Sequence, residues 1–133
     1  MIANGPLNSK IHSNAYARLN SGMVRFLISE REARTSLLNT DAGKKMNLEK
    51  RTQRLMPHEL TTKLFEEMAN LRLKRTGLDI TLERINEHFP KDKYSALAYG
   101  LWRIKELEEE AYKRHTRRAG GKIRQLVFFT GGN

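Results

Sequence analysis

The amino-acid sequence predicts a mainly α-helical protein, a small domain of about four helices. A short C-terminal strand is compatible with the pattern. Apolar residues recur at three- and four-residue spacing around residues 60–71 and 97–111, as on one face of a helix. With 133 residues, 38% of them hydrophobic, the chain is long enough for one small core. It has no cysteine, so neither a disulfide framework nor a cysteine-based zinc site replaces that core.

The N-terminal segment predicts an arm rather than a helix. Residues 1–12 are rich in residue types that interrupt helices, namely Gly5, Pro6, Asn8 and Ser9. We therefore expect a flexible arm over residues 1–12, a single domain over residues 13–129 and a tail over residues 130–133. The domain is expected to open with a short helix at about residues 14–19.

The next two segments differ in how clearly they predict structure. The apolar run at residues 23–28 fits either a strand or a continuation of the preceding helix. Ser29 and Glu32 have the spacing of a capping box, in which each side chain bonds to the backbone amide of the other residue. The sequence therefore predicts a helix over residues 30–38.

The middle of the chain contains the clearest amphipathic helix. Residues 39–56 have only a weak apolar period and many cations, which is typical of a basic linker or a marginal helix. Pro57 suits the first position of a helix, and a regular apolar stripe begins at residue 60. Cations followed by Gly77 resemble the end of a helix, so we expect the helix to run from Pro57 to just before Gly77.

Residues 77–103 have the rhythm of a helix-turn-helix unit. Thr81 can cap a short helix that ends at Pro90, and a long helix is expected over residues 92–117, with its first half buried. Ala-Gly-Gly at residues 119–121 is expected to end it. Residues 123–129 (IRQLVFF) favour a strand, which makes a winged-helix arrangement a second option. A recognition helix exposes polar side chains in its first turns, whereas the long helix predicted here begins with apolar residues. This pattern argues against sequence-specific contact with DNA by that helix.

The net charge of +10 comes from two short segments, and the remaining cations and carboxylates cancel. The central basic segment has five cations and one carboxylate within residues 44–54, and the C-terminal basic segment has six cations within residues 113–124. Such concentrated positive charge predicts a polyanionic partner. The cations are Lys44, Lys45, Lys50, Arg51 and Arg54 in the first segment, and Lys113, Arg114, Arg117, Arg118, Lys122 and Arg124 in the second.

The C-terminal basic segment predicts a phosphate clamp. Four of its cations close a helix and two follow a glycine hinge, and arginine binds phosphate oxygens in bidentate fashion. Tyr112 is the best candidate for stacking on a base. In the competing interpretation, Glu109 and Glu110 already pair with Lys113 and Arg114 four residues on. The central basic segment is either an arm that orders on nucleic acid or a solubilising loop.

No sequence pattern predicts catalysis, a cofactor or a metal. The four histidines are scattered without a paired metal-binding motif, and the Gly-Gly-Lys at residues 120–122 lacks the Ser or Thr and the following helix of a phosphate-binding loop. Residues 1–12 do not resemble a signal sequence, and no stretch approaches the roughly 18 apolar residues of a membrane span. We expect a soluble, cytoplasmic protein with no membrane partner.

The sequence therefore predicts a non-enzymatic nucleic-acid-binding protein, accessory or regulatory in role, that contacts backbone phosphates through the two basic segments. DNA is favoured over RNA, and the size and charge are typical of proteins carried by phages or mobile elements. The alternative is a protein-interaction module, that is, an adaptor, inhibitor or structural subunit whose basic segments meet an acidic protein surface. Homo-oligomer formation, with the C-terminal strand as a pairing edge, is one form of that alternative.

Overall fold

The computed structural model describes the backbone of residues 5–130 and the side chains of residues 5–120. Within that range, five helices accompany one two-stranded antiparallel sheet. The expectation of a small, mainly helical protein is confirmed. The elements are α1 (Gly5–Asn20), α2 (Glu30–Leu38), α3 (Asp41–Lys45), α4 (Leu48–Ala69), β1 (Leu71–Thr76), β2 (Asp79–Arg84) and α5 (Asp92–Thr130).

Helix α1 occupies most of the segment in which the sequence analysis expected an arm. Ile11 is only 1% exposed, and the helix packs on α5 and β2. Gly5 and Pro6 lie in its first turn, where backbone amides have no helical acceptor in any case. These residues therefore do not prevent a helix whose other side is buried. Residues 1–4 and 131–133, the rest of the expected arm and tail, lie outside the described residues.

The hydrophobic core lies between α1 and the first half of α5. The end of α4 and the β1–β2 hairpin close the core, through Leu64, Met68, Leu71 and Leu82. Burial of the first half of the last helix, which the wide apolar face predicted, is confirmed. The buried members of the core are Ile11, Ala15, Tyr94, Ala98 and Leu101.

A second, smaller apolar cluster is formed by α2, α3 and the first half of α4. Ala33 and Leu55 are buried in it, at 6% and 5% exposure. The capping box is present, since the Ser29 amide donates to Glu32 Oε2 (3.1 Å) and the Glu32 amide donates to Ser29 Oγ (3.3 Å). The helix predicted over residues 30–38 is thereby confirmed.

The apolar run before α2 is neither a strand nor a helix. Residues 23–29 are irregular. Phe26 packs edge-on against Phe65 of α4, with ring centres 5.0 Å apart. Phe26 therefore covers α4, while Val24 of the same run packs against the main core.

Helix α4 begins at Leu48, not at Pro57 as predicted. Asn47 caps it, because its side chain accepts a hydrogen bond from the Lys50 amide at 2.9 Å. Pro57 lies inside the helix, where proline costs about 3 kcal/mol. Burial of Leu55 before it and Glu67 after it outweighs that local preference. The expected linker at residues 39–56 is therefore mostly helical, as α3 and the start of α4.

A β-hairpin replaces the end of the predicted central helix. Thr76 pairs with Asp79, which leaves Gly77 and Leu78 as a two-residue loop. Gly77 has φ +64°, and no non-glycine residue among those described has a positive φ, as in a type II′ turn. Leucine and isoleucine alternate with polar residues on both strands. That period of two was the sequence signal for the hairpin.

The helix-turn-helix interpretation of residues 77–103 is wrong, because this stretch contains strand β2 and only one helix, the start of α5. The predicted strand at residues 123–129 is also wrong, since α5 continues to Thr130. The winged-helix option fails with it. Glycine inside a helix costs about 1 kcal/mol relative to alanine but creates no clash. Ala-Gly-Gly at residues 119–121 therefore does not end the helix.

Candidate nucleic-acid interface

The second half of α5 is a solvent-exposed helix. The ion pair between Arg18 of α1 and Glu108, at 2.5 Å, marks the end of the part of α5 that packs on α1, because all residues from 109 to 118 are exposed. This hydrogen-bonded pair lowers the pKa of Glu108 below its ordinary value. At 1.5 Å per residue, residues 109–130 extend roughly 33 Å beyond Glu108.

Four cations of the C-terminal basic segment lie on this exposed helix. Helical geometry turns the chain by about 100° per residue, so Lys113 and Arg117 form one row and Arg114 and Arg118 a second, parallel row. The four positions together span about 140° of the helix circumference. The helix thus presents one broad cationic face.

The glycine hinge expected within this segment is absent, because the helix is continuous across Gly120. Lys122 and Arg124 belong to the same helix, and their side chains lie outside the described residues. These two residues therefore continue the same helix as the other four cations, with no hinge between them.

Most of these cations are not paired with carboxylates. Glu109 pairs with Lys105, at 2.9 Å, so the expected Glu109–Lys113 pair is wrong. The hydrogen bond from Lys105 lowers the pKa of Glu109. Glu110 does pair with Arg114, at 3.7 Å, but such an exposed pair contributes about 1 kcal/mol or less. Among the described residues, Lys113, Arg117 and Arg118 form no ion pair with a carboxylate. Their charge is therefore available to a partner.

Tyr112 is accessible to a ligand. Its side chain is 71% exposed, which distinguishes it from Tyr94 in the core. On the helix it lies about 100° from Lys113, on the side away from Arg114. The ring therefore stands beside the cationic face and not within it.

The central basic segment is divided between two helices. One of its five cations, Arg51, is half-buried, and its Nη2 donates to the carbonyl oxygens of Gly43 (3.4 Å) and Met46 (3.3 Å). It thus satisfies backbone carbonyls at the end of α3. Arg51 consequently has a structural role, and its contact with phosphate stays a prediction. The other four are exposed, with Lys44 and Lys45 ending α3 and Lys50 and Arg54 in the first turns of α4.

Arg54 also lines a shallow cavity of about 280 Å³ between α2 and α4. Ala33 and Leu55 form part of its apolar wall, and His58 lies beside Arg54. The Nδ1 atom of His58 is 2.9 Å from the Ile28 carbonyl oxygen, which holds the ring in place. The cavity therefore adds a concave surface to the exposed cations of this segment.

The two basic segments form separate surfaces. Helices α4 and α5 meet where Glu67 pairs with Lys93, at 3.2 Å. Measured along the helices, Arg54 lies roughly 20 Å from that junction on α4, and Lys113 roughly 30 Å from it on α5. The structure therefore does not bring the two segments together at the junction of their helices.

A third surface feature was not anticipated from the sequence. A cavity of about 570 Å³ lies between α1, the hairpin loop and α5. Trp102 and Lys105 line it. Trp102 is the only tryptophan of the chain; it packs against the core and is partly exposed at this cavity. Because the three elements that form this cavity are far apart in the sequence, no local sequence pattern predicts it.

Metal binding and membrane insertion find no support in the described part of the chain. No group of three or more His, Asp or Glu side chains there could hold a metal ion. None of its helices combines the length and the hydrophobicity needed to cross a membrane. Comparison with known proteins found no family model, curated protein or solved structure that matches this chain. The function is therefore inferred from the geometry and charge of this chain itself.

Proposed function

We propose that this protein is a non-enzymatic nucleic-acid-binding protein of accessory or regulatory role, and that the exposed second half of α5 is its main contact surface. The observation that carries this proposal is the cationic face of Lys113, Arg114, Arg117 and Arg118. Three of these four cations form no ion pair among the described residues, and α5 packs on α1 only as far as Glu108. Phosphate neutralisation by such cations releases counterions and drives binding.

The shape of the surface suits a phosphate backbone. A helix with its side chains is about 10–12 Å across, which matches the roughly 12 Å width of the DNA major groove. Two parallel rows of cations allow the helix to contact phosphates on both of its sides, with arginine supplying bidentate bonds. Contacts of this kind give affinity and position without sequence choice. We expect binding with little sequence preference, and DNA favoured over RNA.

The central basic segment is proposed as a second, weaker contact. Its exposed members are Lys44, Lys45, Lys50 and Arg54, and they lie on a surface separate from the α5 face. Lys122 and Arg124 extend the α5 face in sequence, and Tyr112 is positioned at its edge to stack on a base. A nucleic acid long enough to span both surfaces is expected to bind more tightly than a short one.

The test is a fluorescence-anisotropy titration of labelled duplex DNA, single-stranded DNA and RNA with a quadruple variant in which Lys113, Arg114, Arg117 and Arg118 are all changed to Gln. Glutamine has nearly the helix propensity of lysine and arginine, so the helix is retained. Losing four phosphate contacts is expected to weaken binding at least 100-fold at 50 mM salt.

The matched control changes four exposed cations elsewhere, Arg25, Arg31, Lys63 and Lys91, to Gln and so removes the same charge. We expect this variant to retain affinity within a few-fold of the original protein. Circular dichroism of both variants checks that helicity is unchanged. If the α5 variant binds as tightly as the control variant, the assignment of this helix is wrong.

A protein-interaction module is the second candidate, and exposed apolar residues on the same helix favour it. Ile104 and Leu107 are each 45% exposed and lie next to the acidic residues 106–110. Such a ridge can pack against another helix. This candidate predicts a complex that persists at 0.5 M salt, measured by light scattering after gel filtration. A monomer at all salt concentrations contradicts the homo-oligomer form of this candidate.

A further inference from the structure

The cavity beside Trp102 combines an aromatic wall with cationic and polar groups. Its volume is about 570 Å³, within the range of small-molecule sites. The Trp102 ring forms one side, and Lys105 Nζ lies over its face, 4.5 Å from the ring centre, so Lys105 has to move aside before a base stacks there. The other polar lining residues on α1 and the hairpin are Ser9, Lys10, Ser13, Asn14 and Asp79.

One hydrogen-bond donor at this cavity has no acceptor. Asn14 Oδ1 accepts from Arg18 Nε at 3.2 Å, which orients the side-chain amide. Its Nδ2 atom is buried and has no hydrogen-bond partner among the described residues. A buried donor without a partner is costly, but this atom has almost no accessible surface, so a ligand reaches it only if the Asn14 side chain moves.

We propose that this cavity binds one unpaired nucleotide of a nucleic-acid strand, with the base against Trp102 and the phosphate between Lys10 and Lys105. Stacking on an aromatic side chain with a neighbouring cation is how proteins hold unpaired bases. The Asp79 carboxylate can accept from an exocyclic amino group on the base edge. The cavity thus offers complementary groups to the base and to the phosphate.

Lys105 can turn towards a phosphate at little cost. Its only ion pair among the described residues is with Glu109, and the two side chains are 37% and 54% exposed. Exposed pairs of this kind contribute little to stability. Lys10 is exposed and lies across the cavity on α1.

The cavity lies at one edge of the cationic face, because Arg114 and Arg118 are about 120° and 160° from Trp102 around α5. Around the helix, Lys113 lies about 20° and Arg117 about 60° from Trp102, and they lie roughly 16 and 22 Å further along the axis. Three carboxylates lie along this path. Glu106 pairs with Arg103 (3.1 Å) and Glu110 with Arg114 (3.7 Å), whereas Glu109 loses its partner when Lys105 turns to the phosphate. A strand on the cationic face can therefore reach Trp102, so this inference rests on the proposed function.

The test uses Trp102 itself as the reporter, because it is the only tryptophan. We expect AMP, and separately a ten-nucleotide single strand, to quench its fluorescence after correction for absorbance. Changing Lys10 and Lys105 to Gln is expected to raise the AMP concentration needed for half-quenching about tenfold. The matched control, Lys74→Gln with Lys91→Gln, also removes one ion-paired and one unpaired lysine and is expected to change that concentration less than twofold.

The outcomes distinguish a failure of the cavity site from a failure of the proposed function. If the labelled strand binds by anisotropy but Trp102 emission is unchanged, the cavity is not a nucleotide site and the α5 interface stands. If AMP quenches the variant neutralised at Lys113, Arg114, Arg117 and Arg118 as strongly as the original protein, while that variant still binds the strand tightly, the α5 interface fails and the cavity site stands. Equal half-quenching by AMP in the two double variants overturns the nucleotide assignment. Melting temperatures of the variants verify that each is folded.

Discussion

Single polar side chains join elements that are distant in the sequence. Ser9 Oγ accepts from the Ile80 amide (2.8 Å), which ties α1 to the hairpin. Glu67, 2% exposed, accepts from the Tyr94 amide (3.0 Å) and so supplies an acceptor in the first turn of α5. Arg51 supplies a donor to the carbonyls that end α3. A backbone group left without a partner when buried is costly, so each of these side chains stabilises the fold.

Arg51 and Lys50 are a matched pair for separating structure from binding. Arg51→Gln removes the bonds to Gly43 and Met46 and is expected to lower the free energy of unfolding by about 1 kcal/mol, with little effect on nucleic-acid affinity. Lys50→Gln removes an exposed charge and is expected to weaken nucleic-acid binding, with little effect on the free energy of unfolding. Urea unfolding and anisotropy titration of both variants measure the two effects. A loss of affinity in Arg51→Gln alone contradicts its structural role.

His12 makes stability depend on pH. Burial and then the charge of Lys91 lower the pKa of His12 from its ordinary value of 6.5, while burial raises the pKa of Tyr94 to about 12. The Tyr94 hydroxyl therefore stays protonated and can donate to His12 Nδ1, 3.1 Å away. Below pH 6.5 the unfolded chain takes up a proton that the folded protein resists, so stability falls.

The predicted measurement is the urea midpoint between pH 8 and pH 5. It is expected to be flat above pH 7 and to decrease below about pH 6.5. His12→Gln, which cannot be protonated, is expected to flatten the decrease. A His12→Gln curve with the same slope would assign the pH dependence to other groups.

At the scale of elements, α5 consists of two halves with different sources of stability. Its first half is held by the core through Tyr94, Ala98 and Leu101. Its second half is held by pairs within the helix, such as Lys105–Glu109 and Glu110–Arg114, each contributing about 0.2–0.5 kcal/mol. An isolated helix of this length is only marginally stable in water. The interface helix is therefore expected to gain order when it binds.

Two glycines, one in the hairpin loop and one inside α5, differ in what they require of the backbone. Gly77 has φ +64°, which costs other residues roughly 1–2 kcal/mol, so Gly77→Ala is expected to destabilise the protein by about 1 kcal/mol. Gly100 lies inside α5, and a Cβ there meets nothing within 4 Å, so Gly100→Ala is expected to stabilise it by up to about 1 kcal/mol. Thermal unfolding of both variants checks the signs. A stabilising Gly77→Ala would argue against the type II′ turn.

For nucleic-acid binding by the whole molecule, we expect the distribution of charge to matter more than the net charge of +10. The cations on α5 and those on α3 and α4 form separate surfaces, and long-range repulsion between them is screened at physiological salt. Each surface therefore contributes its own phosphate contacts. The salt dependence of binding counts those contacts, because log affinity changes by about 0.9 per neutralised phosphate for each unit of log salt on duplex DNA.

The salt slope on duplex DNA is therefore expected to fall by about 3–4 when Lys113, Arg114, Arg117 and Arg118 are changed to Gln. Neutralising Lys44, Lys45, Lys50 and Arg54 in the same way is expected to reduce the slope less, because this surface is the secondary contact. Anisotropy titrations between 50 and 300 mM salt give both slopes. Equal reductions would make the two surfaces equivalent contacts and contradict the ranking proposed for them.

The sequence was most informative where a signal is local. Ser29 and Glu32 predicted the capping box, and α5 begins at Asp92, close to where its start was predicted, because caps and prolines act within one turn. It was least informative for α1, the start of α4 and the hairpin. There, weak local preferences at Pro6, Pro57 and Thr81 were outweighed by burial against elements more than ten residues away.

The sequence by itself determined the mainly helical class, the concentration of positive charge in two segments and the amphipathic stripe that becomes the core. These are properties of composition and short-range spacing. Only the tertiary structure decided that Arg51 binds carbonyls, that Arg18 of α1 pairs with Glu108 of α5, and that Trp102 lines a cavity with Lys10. Each of these depends on which atoms lie within a few ångströms after folding, and hydrogen bonds and ion pairs act only over such distances.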